Sequence, residues 1–192
     1  MIHRPGDALR AALAGLAVVA ALVLVGCSSD APGSAAPGTT TAPTADSTTS
    51  PRGFGSVTLV VTLPDGSVRE YCVWLAETAE QRQQGLMGVT DADLGGRSAM
   101  LFRFPGDTTS SFWMKDTVLP LSIAWYAVDG TLVSMADMDP CPAGTADCPV
   151  FDPGGRYRYA IEVAQGGLDR LGLVEGSTIS LGAGCEGSAQ AA

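Results

Sequence analysis

Turn signals break the chain about every ten residues from residue 56 onward, and the apolar residues between them alternate with polar ones. A chain punctuated that often has no room for long helices and must build its core by pairing short extended segments. Val57, Leu59 and Val61 alternate with Thr58, Val60 and Thr62, and Pro64-Asp65-Gly66 supplies a turn before a second extended run over 68–76, a hairpin pattern. Further extended segments are expected at 98–104, 110–115, 120–128, 131–137, 156–163 and 177–182, with Asp129-Gly130 as the hairpin turn between 120–128 and 131–137. Thr78 and Gln81 have the spacing of a capping box, so a short helix should run to about Met87 and stop at Gly88. A single turn over 90–94 and one short helix over 165–171, ahead of Gly172, complete the elements. The expected fold class is β-rich (α+β): a compact barrel-like or folded-over, mostly antiparallel sheet with one or two short helices.

The first fifty or so residues lack this pattern. Arg4 and Arg10 precede an uninterrupted apolar run over 11–25 that is shorter than the roughly 20 residues of a membrane-spanning helix, which points to export and cleavage. Leu24-Val25-Gly26-Cys27 resembles the lipobox of bacterial lipoproteins. On that reading residues 1–26 are the signal peptide and Cys27 is the lipidation site, its acyl chains anchoring the protein at roughly 0.8 kcal/mol per buried methylene. Residues 28–52 are Ser, Thr, Ala, Pro and Gly almost throughout, a composition that cannot offset its ordering entropy. The segment 27–53 is therefore expected to be a disordered tether of roughly 80 Å at full extension. The globular domain should occupy 54–185, followed by a disordered tail over 186–192. The expected location is the outer face of the cytoplasmic membrane of a bacterium, with the membrane itself as the first partner.

The formal net charge is −9. With no basic cluster, the domain is unsuited to nucleic acid and would be repelled by anionic head groups, which leaves attachment to Cys27. Four more cysteines remain, Cys72, Cys141, Cys148 and Cys185. An even number in an exported chain implies disulfides, for which three pairings exist. Cys141 and Cys148 flank the turn-rich Pro-Ala-Gly-Thr-Ala-Asp, so a local staple there, with Cys72 joined to Cys185, is the favoured arrangement. The long loop would add about 4 kcal/mol and the short one about 2 to 3 on a chain-entropy view.

Several stretches carry a family resemblance. Gln81-Arg82-Gln83-Gln84-Gly85-Leu86-Met87, Met100-Leu101-Phe102-Arg103-Phe104, Ser111 to Thr117, Leu119-Pro120-Leu121 and Ala160-Ile161-Glu162-Val163 with Gly166 resemble, in order, the motifs of the DUF192 family. The resemblance covers about residues 57–182 and implies a small β-rich fold, often exported, with no established biochemical activity. Two positions depart from the family pattern: Ser122 stands where an Asp commonly follows Pro-Leu, and Asp116 where an Asn commonly follows Trp-Met-Lys. A role needing an acid at position 122 would be lost here.

The only histidine, His3, lies in the signal, which removes Ser-His-Asp and Cys-His catalysis and histidine-based zinc sites from the mature protein. No phosphate-cradling glycine motif is present either. No cofactor is expected, and enzymatic activity is not the favoured reading. An acid/base pair of Asp116 and Glu162 beside Lys115 or Arg82 is one alternative, against a structural role in which Arg82 neutralises an inward Glu162. Met135, Met138 and Cys141, with Met87, Met100 and Met114, are soft ligands that would suit copper(I), although single methionines on strands usually fill core gaps. A purely structural envelope protein is a further reading.

Over 110–115 the alternation sends Phe112 and Met114 to one face, Trp113 and Lys115 to the other. Either both faces are covered or Trp113 and Lys115 form an aromatic wall beside a cation, suited to an anionic or sugar-like ligand. The candidate ligand-binding residues are Arg82, Met87, Trp113, Lys115, Asp116, Thr117 and Glu162, and the favoured role is a binding module for an envelope component, whether small ligand or protein.

Overall fold

A computed structural model describes residues 48–186 of the chain. Cys27, the signal segment, most of the tether and the tail beyond residue 186 lie outside the described residues. Thr49 and Ser50 are already tied to the domain, through Thr49 N–H to Thr90 Oγ1 at 2.7 Å and Ser50 Oγ to Asp91 Oδ2 at 2.6 Å. Contacts with the domain thus extend to residues a few positions before 54. No described helix is long and apolar enough to cross a membrane.

Nine strands and two short helices follow: β1 (Gly55–Thr62), β2 (Val68–Ala76), α1 (Ala79–Gln84), β3 (Met100–Thr108), β4 (Phe112–Trp113), β5 (Leu121–Tyr126), β6 (Leu132–Met138), β7 (Val150–Phe151), β8 (Tyr157–Ala164), α2 (Leu168–Leu171) and β9 (Thr178–Leu181). Seven strands form one mixed sheet in the order β6-β5-β8-β3-β2-β1-β9, and β4 pairs with β7 in a separate two-stranded sheet. Only β2 and β3 run parallel; the other pairs are antiparallel. The mostly β, largely antiparallel class read from the sequence is what the chain adopts. The large sheet curls but does not close into a barrel. Its far edges meet at one point, where Ile179 N–H donates to Gly130 O at 2.9 Å and Thr178 bridges Thr131.

Alternation along the strands divides the interior in two. Leu59, Val61, Leu101, Ala124, Tyr126, Ile161 and Val163 face one core, which α2 plugs with Leu168 and Leu171. Met100, Phe102, Ile123, Trp125 and Ala160, on the opposite face of β3, β5 and β8, pack in a second core with Leu86, Leu94, Met114 and Met138. Because the central strands are covered on both sides, all six residues of β5 are buried.

The capping box forms as its spacing predicts, Thr78 Oγ1 accepting from Gln81 N–H at 3.2 Å and Gln81 Oε1 accepting from Thr78 N–H at 3.1 Å. The helix stops three residues earlier than Gly88, at Gly85. A Cβ at Gly85 would lie 3.2 Å from the Phe102 ring, so the close approach of helix end to sheet selects glycine there. The short strand β7 has too few residues to show alternation and was not foreseen. The structure pairs Cys72 with Cys185 and Cys141 with Cys148.

The meeting of the sheet's two ends is testable at Gly130, which has φ +83 and whose notional Cβ would sit 2.0 Å from Ile179 O. Gly130→Ala is expected to cost about 2 kcal/mol or more in urea unfolding, from positive-φ strain and the broken contact. A loss below about 0.5 kcal/mol would mean that the ends do not touch there.

Candidate functional site

The segment from Phe112 to Thr117 divides its side chains as strand alternation requires. Phe112 turns inward and meets Phe102, Trp125 and Phe104 edge-on, at centroid distances of 5.1, 6.1 and 6.4 Å. Met114 is fully buried beside it. On the other side Trp113 is 54% exposed, with Lys115 Nζ 5.3 Å from its ring centroid. The alternative in which both faces are covered fails here, because Trp113 on the outer side of the two-stranded sheet is more than half exposed. Lys115 is also the chain's single lysine.

Asp116 then reverses the chain at φ 55, a left-handed conformation that Asp and Asn tolerate better than most residues. Its carbonyl accepts from Gly88 N–H at 2.9 Å, which fastens the loop after α1 to this segment. Thr117 is buried, and its carbonyl accepts from Cys141 N–H at 2.8 Å. Cys141 bridges both Lys115 and Thr117, while Phe112 and Trp113 pair with Phe151 and Val150. The Cys141–Cys148 disulfide closes the loop between these two braces, so the segment is held at both ends.

Between this wall and α1 with its following loop lies an open cleft of about 640 Å³. Arg82, Met87, Trp113, Lys115, Asp116, Thr117 and Glu162 all line it. The structure therefore gathers all seven residues singled out from the sequence, drawn from three separate stretches of chain. Sequence reasoning passed over Phe104, Tyr157, Ser110, Ser111, Gln83, Gln84 and Glu80, which with Gly85, Leu86, Phe102 and Phe112 complete the lining. Phe104 was visible as the last aromatic of Met-Leu-Phe-Arg-Phe and Tyr157 as an inward position of β8. The two serines have no local signal, being brought in by Tyr157, whose hydroxyl donates to Ser110 O at 2.7 Å.

Glu162 sits at the buried end of the cleft, on a strand flanked by β3 and β5 and directly across from Met100 and Ile123. Among the described residues it is the only buried acid or base. Arg82 does not neutralise it, contrary to the ion pair considered above. The Arg82 guanidinium donates instead to the carbonyls of Glu77 and Arg103 and lies 5.1 Å from the Phe104 centroid. The carboxylate of Glu77 takes Arg103 as its partner. Glu162 makes no ion pair or hydrogen bond with a described side chain, and burial alone pushes its pKa up to about 8. Near neutral pH it is largely a neutral carboxylic acid, able both to donate and to accept.

The remaining candidates fall elsewhere. Met100, Met114 and Met138 are core side chains, Met135 is exposed on β6, and only Met87 reaches the cleft. Cys141 is committed to its disulfide. Among the described residues no group of three His, Cys, Asp or Glu is placed to hold a metal ion. Ser122 lies one residue before the partner of Glu162 on β5 and hence on the opposite face of the sheet. There its hydroxyl donates to Asp137 and accepts from Gly166 N–H at 2.9 Å. An acid at position 122 would not have faced the cleft.

A curled mixed sheet with a side cleft walled by a short accessory sheet defines a small β domain. The chain belongs to the DUF192 family, described as an uncharacterized ACR, whose model matches residues 60–181. Two solved structures share the fold. One, from Sinorhizobium meliloti and provisionally described as a transcription regulator, is 26% identical with a TM-score of 0.58, over 67% of this chain and 95% of that one. The other, a protein of unknown function from Novosphingobium aromaticivorans, is 27% identical with a TM-score of 0.56, over 67% and 87%. No curated protein matches the chain.

Glu162 makes stability depend on pH in a definite direction. The unfolded carboxyl ionises near 4.5, whereas the folded one keeps its proton to about 8. The folded state binds the extra proton between those values, so stability is full below the interval and declines as pH rises through it, by up to roughly 1.4 kcal/mol per pH unit. Glu162→Gln is expected to remove that decline, so urea titrations should show the variant gaining on the wild type from about pH 5 to about pH 8. A difference independent of pH would mean that the carboxyl is compensated in the folded protein.

Proposed function

We propose that this chain is a lipid-anchored extracytoplasmic binding protein whose cleft takes a small ligand from the cell envelope. The observation that carries the reading is Glu162, an uncompensated carboxyl at the buried end of an open cleft. Buried polar groups without partners are costly, and an acid retained in such a place is explained by a ligand that completes its hydrogen bonds. Trp113 and Lys115 support it, since each presents uncommitted surface at the same opening. The anchor rests on the apolar run, on Cys27 at the end of Leu-Val-Gly-Cys, and on cysteine pairing suited to an oxidising compartment.

A regulator of transcription that reads DNA is disfavoured by the acidic balance of the chain. A hydrolytic reading has one specific support: a carboxyl protonated at neutral pH is the state a general acid requires, and Asp116 lines the same cleft. Under that reading Glu162→Gln abolishes turnover of a chromogenic ester or glycoside, whereas a binding protein shows no turnover to lose.

The binding reading is tested by thermal shift on the full chain in detergent, against sugars, peptidoglycan fragments, amino acids and small anions. A saturable rise in Tm with at least one class is expected, absent in Trp113→Ala, which itself should leave the unliganded Tm nearly unchanged because the ring is half exposed. No rise with any class, or a rise indifferent to Trp113→Ala and Lys115→Ala, would overturn it. The anchor has its own check: Cys27→Ala is expected to move the protein from the membrane fraction to the soluble or secreted one, and unchanged membrane association would refute lipidation at Cys27.

A further inference from the structure

The charges around the cleft restrict what can enter. Arg82 and Lys115 are its cations; Glu80, Asp116 and Glu162 are its acids. With Glu162 held neutral by burial, two cations face two carboxylates and the lining carries no net charge near pH 7. A strongly anionic ligand would meet Glu80 and Asp116, and a strongly cationic one would meet Arg82 and Lys115, so neither sign is welcomed across the whole opening. A neutral ligand meets no such opposition.

The polar groups also suit a particular neutral chemistry. Neither the Lys115 ammonium nor the Asp116 carboxylate has an ion-pair partner among the described residues, and Glu162 offers a donor and an acceptor on one group. With the amides of Gln83 and Gln84 and the hydroxyls of Ser110 and Ser111, the lining supplies donors and acceptors together. That is the complement of vicinal hydroxyls, each of which donates and accepts through one oxygen. At the opening stands an indole, more than half exposed, whose face can cover the C–H surface of a ring. The volume, about 640 Å³, lies within the roughly 300–1,000 Å³ of small-molecule sites and exceeds what one pyranose ring fills.

From this juxtaposition of Trp113, the balanced charges and Glu162 we infer that the cleft binds a neutral oligosaccharide, with one ring stacked on Trp113 and hydroxyls of the next reaching Glu162. The inference rests on the binding reading above and narrows its ligand class. Lys115 serves as a donor to ring oxygens beside the indole, and Asp116, fixed by its left-handed turn, as the acceptor opposite.

The test is binding of the full chain, labelled and in detergent, to an array of defined glycans: neutral oligosaccharides, uronic-acid and sulfated ones, and single sugars. Zwitterionic dipeptides and short amines are run in parallel by thermal shift. Saturable binding to neutral oligosaccharides is expected, weaker for single sugars, with a loss of about tenfold in Trp113→Ala and a smaller loss in Trp113→Phe, which keeps an aromatic face. Glu162→Gln retains a donor and an acceptor and should weaken binding less than Glu162→Ala. Binding confined to charged glycans, amines or dipeptides yet lost in Trp113→Ala would overturn the ligand class while leaving the cleft a binding site. No binding in any class overturns both readings, and neutral-glycan binding unaffected by Trp113→Ala and Glu162→Ala overturns this one, because the contact would lie elsewhere.

Discussion

Covering the central strands on both faces is the constraint from which the rest of this structure follows. With β5, β8 and β3 sandwiched between two cores, neither alternating position of a strand is free for polar side chains, and each exception is costly. Ser122 meets that cost with two hydrogen bonds; Tyr126 meets it by sharing one with Ser177. Glu162 does not meet it within the described chain, and the protein tolerates an acid there by keeping it protonated. The indole nitrogen of Trp125, on the same side of the sheet, is the one side-chain nitrogen or oxygen among the described residues that is wholly buried without a partner.

The two faces carry different duties. The inner one is closed, apolar and plugged by α2, and it unites the hairpin β1–β2 with the central strands. The outer one is assembled from pieces distant in sequence: the helix and loop after β2, the 112–117 segment and the loop stapled by Cys141–Cys148. Such pieces need not meet edge to edge, and the gap left between α1 and the accessory sheet is the cleft. The site is thus a product of how the second layer is tiled over the sheet rather than of any single motif.

That division also explains what could be read from the sequence. Local features were legible: the Pro-Asp-Gly and Asp-Gly turns, the Thr78 capping box, the Gly172 end of α2 and the opposite facing of Phe112 and Trp113 each depend on residues within a few positions of one another. Seven of the residues lining the cleft were legible as well, because they sit in the stretches that mark the family. Features set at long range were not. Whether Trp113 would be covered depended on what lay outside β4, and the partner of Arg82 depended on where Glu77 and Arg103 placed their carbonyls. The helix ends at Gly85 rather than Gly88, where a ring seventeen residues on, that of Phe102 in β3, crowds any Cβ, a contact that no pattern within α1 encodes.

The pairing of Cys72 with Cys185 has a consequence for the lifetime of the protein. Every residue lining the cleft, from Glu80 to Glu162, lies inside the covalent ring that this bond closes. A protease that cuts one exposed loop within the ring produces a nicked chain, not two fragments, and the strands on either side of the cut stay linked to each other and to the N-terminal hairpin. Damage at a single peptide bond would then be a local blemish, and only a second cut would release a piece of the domain.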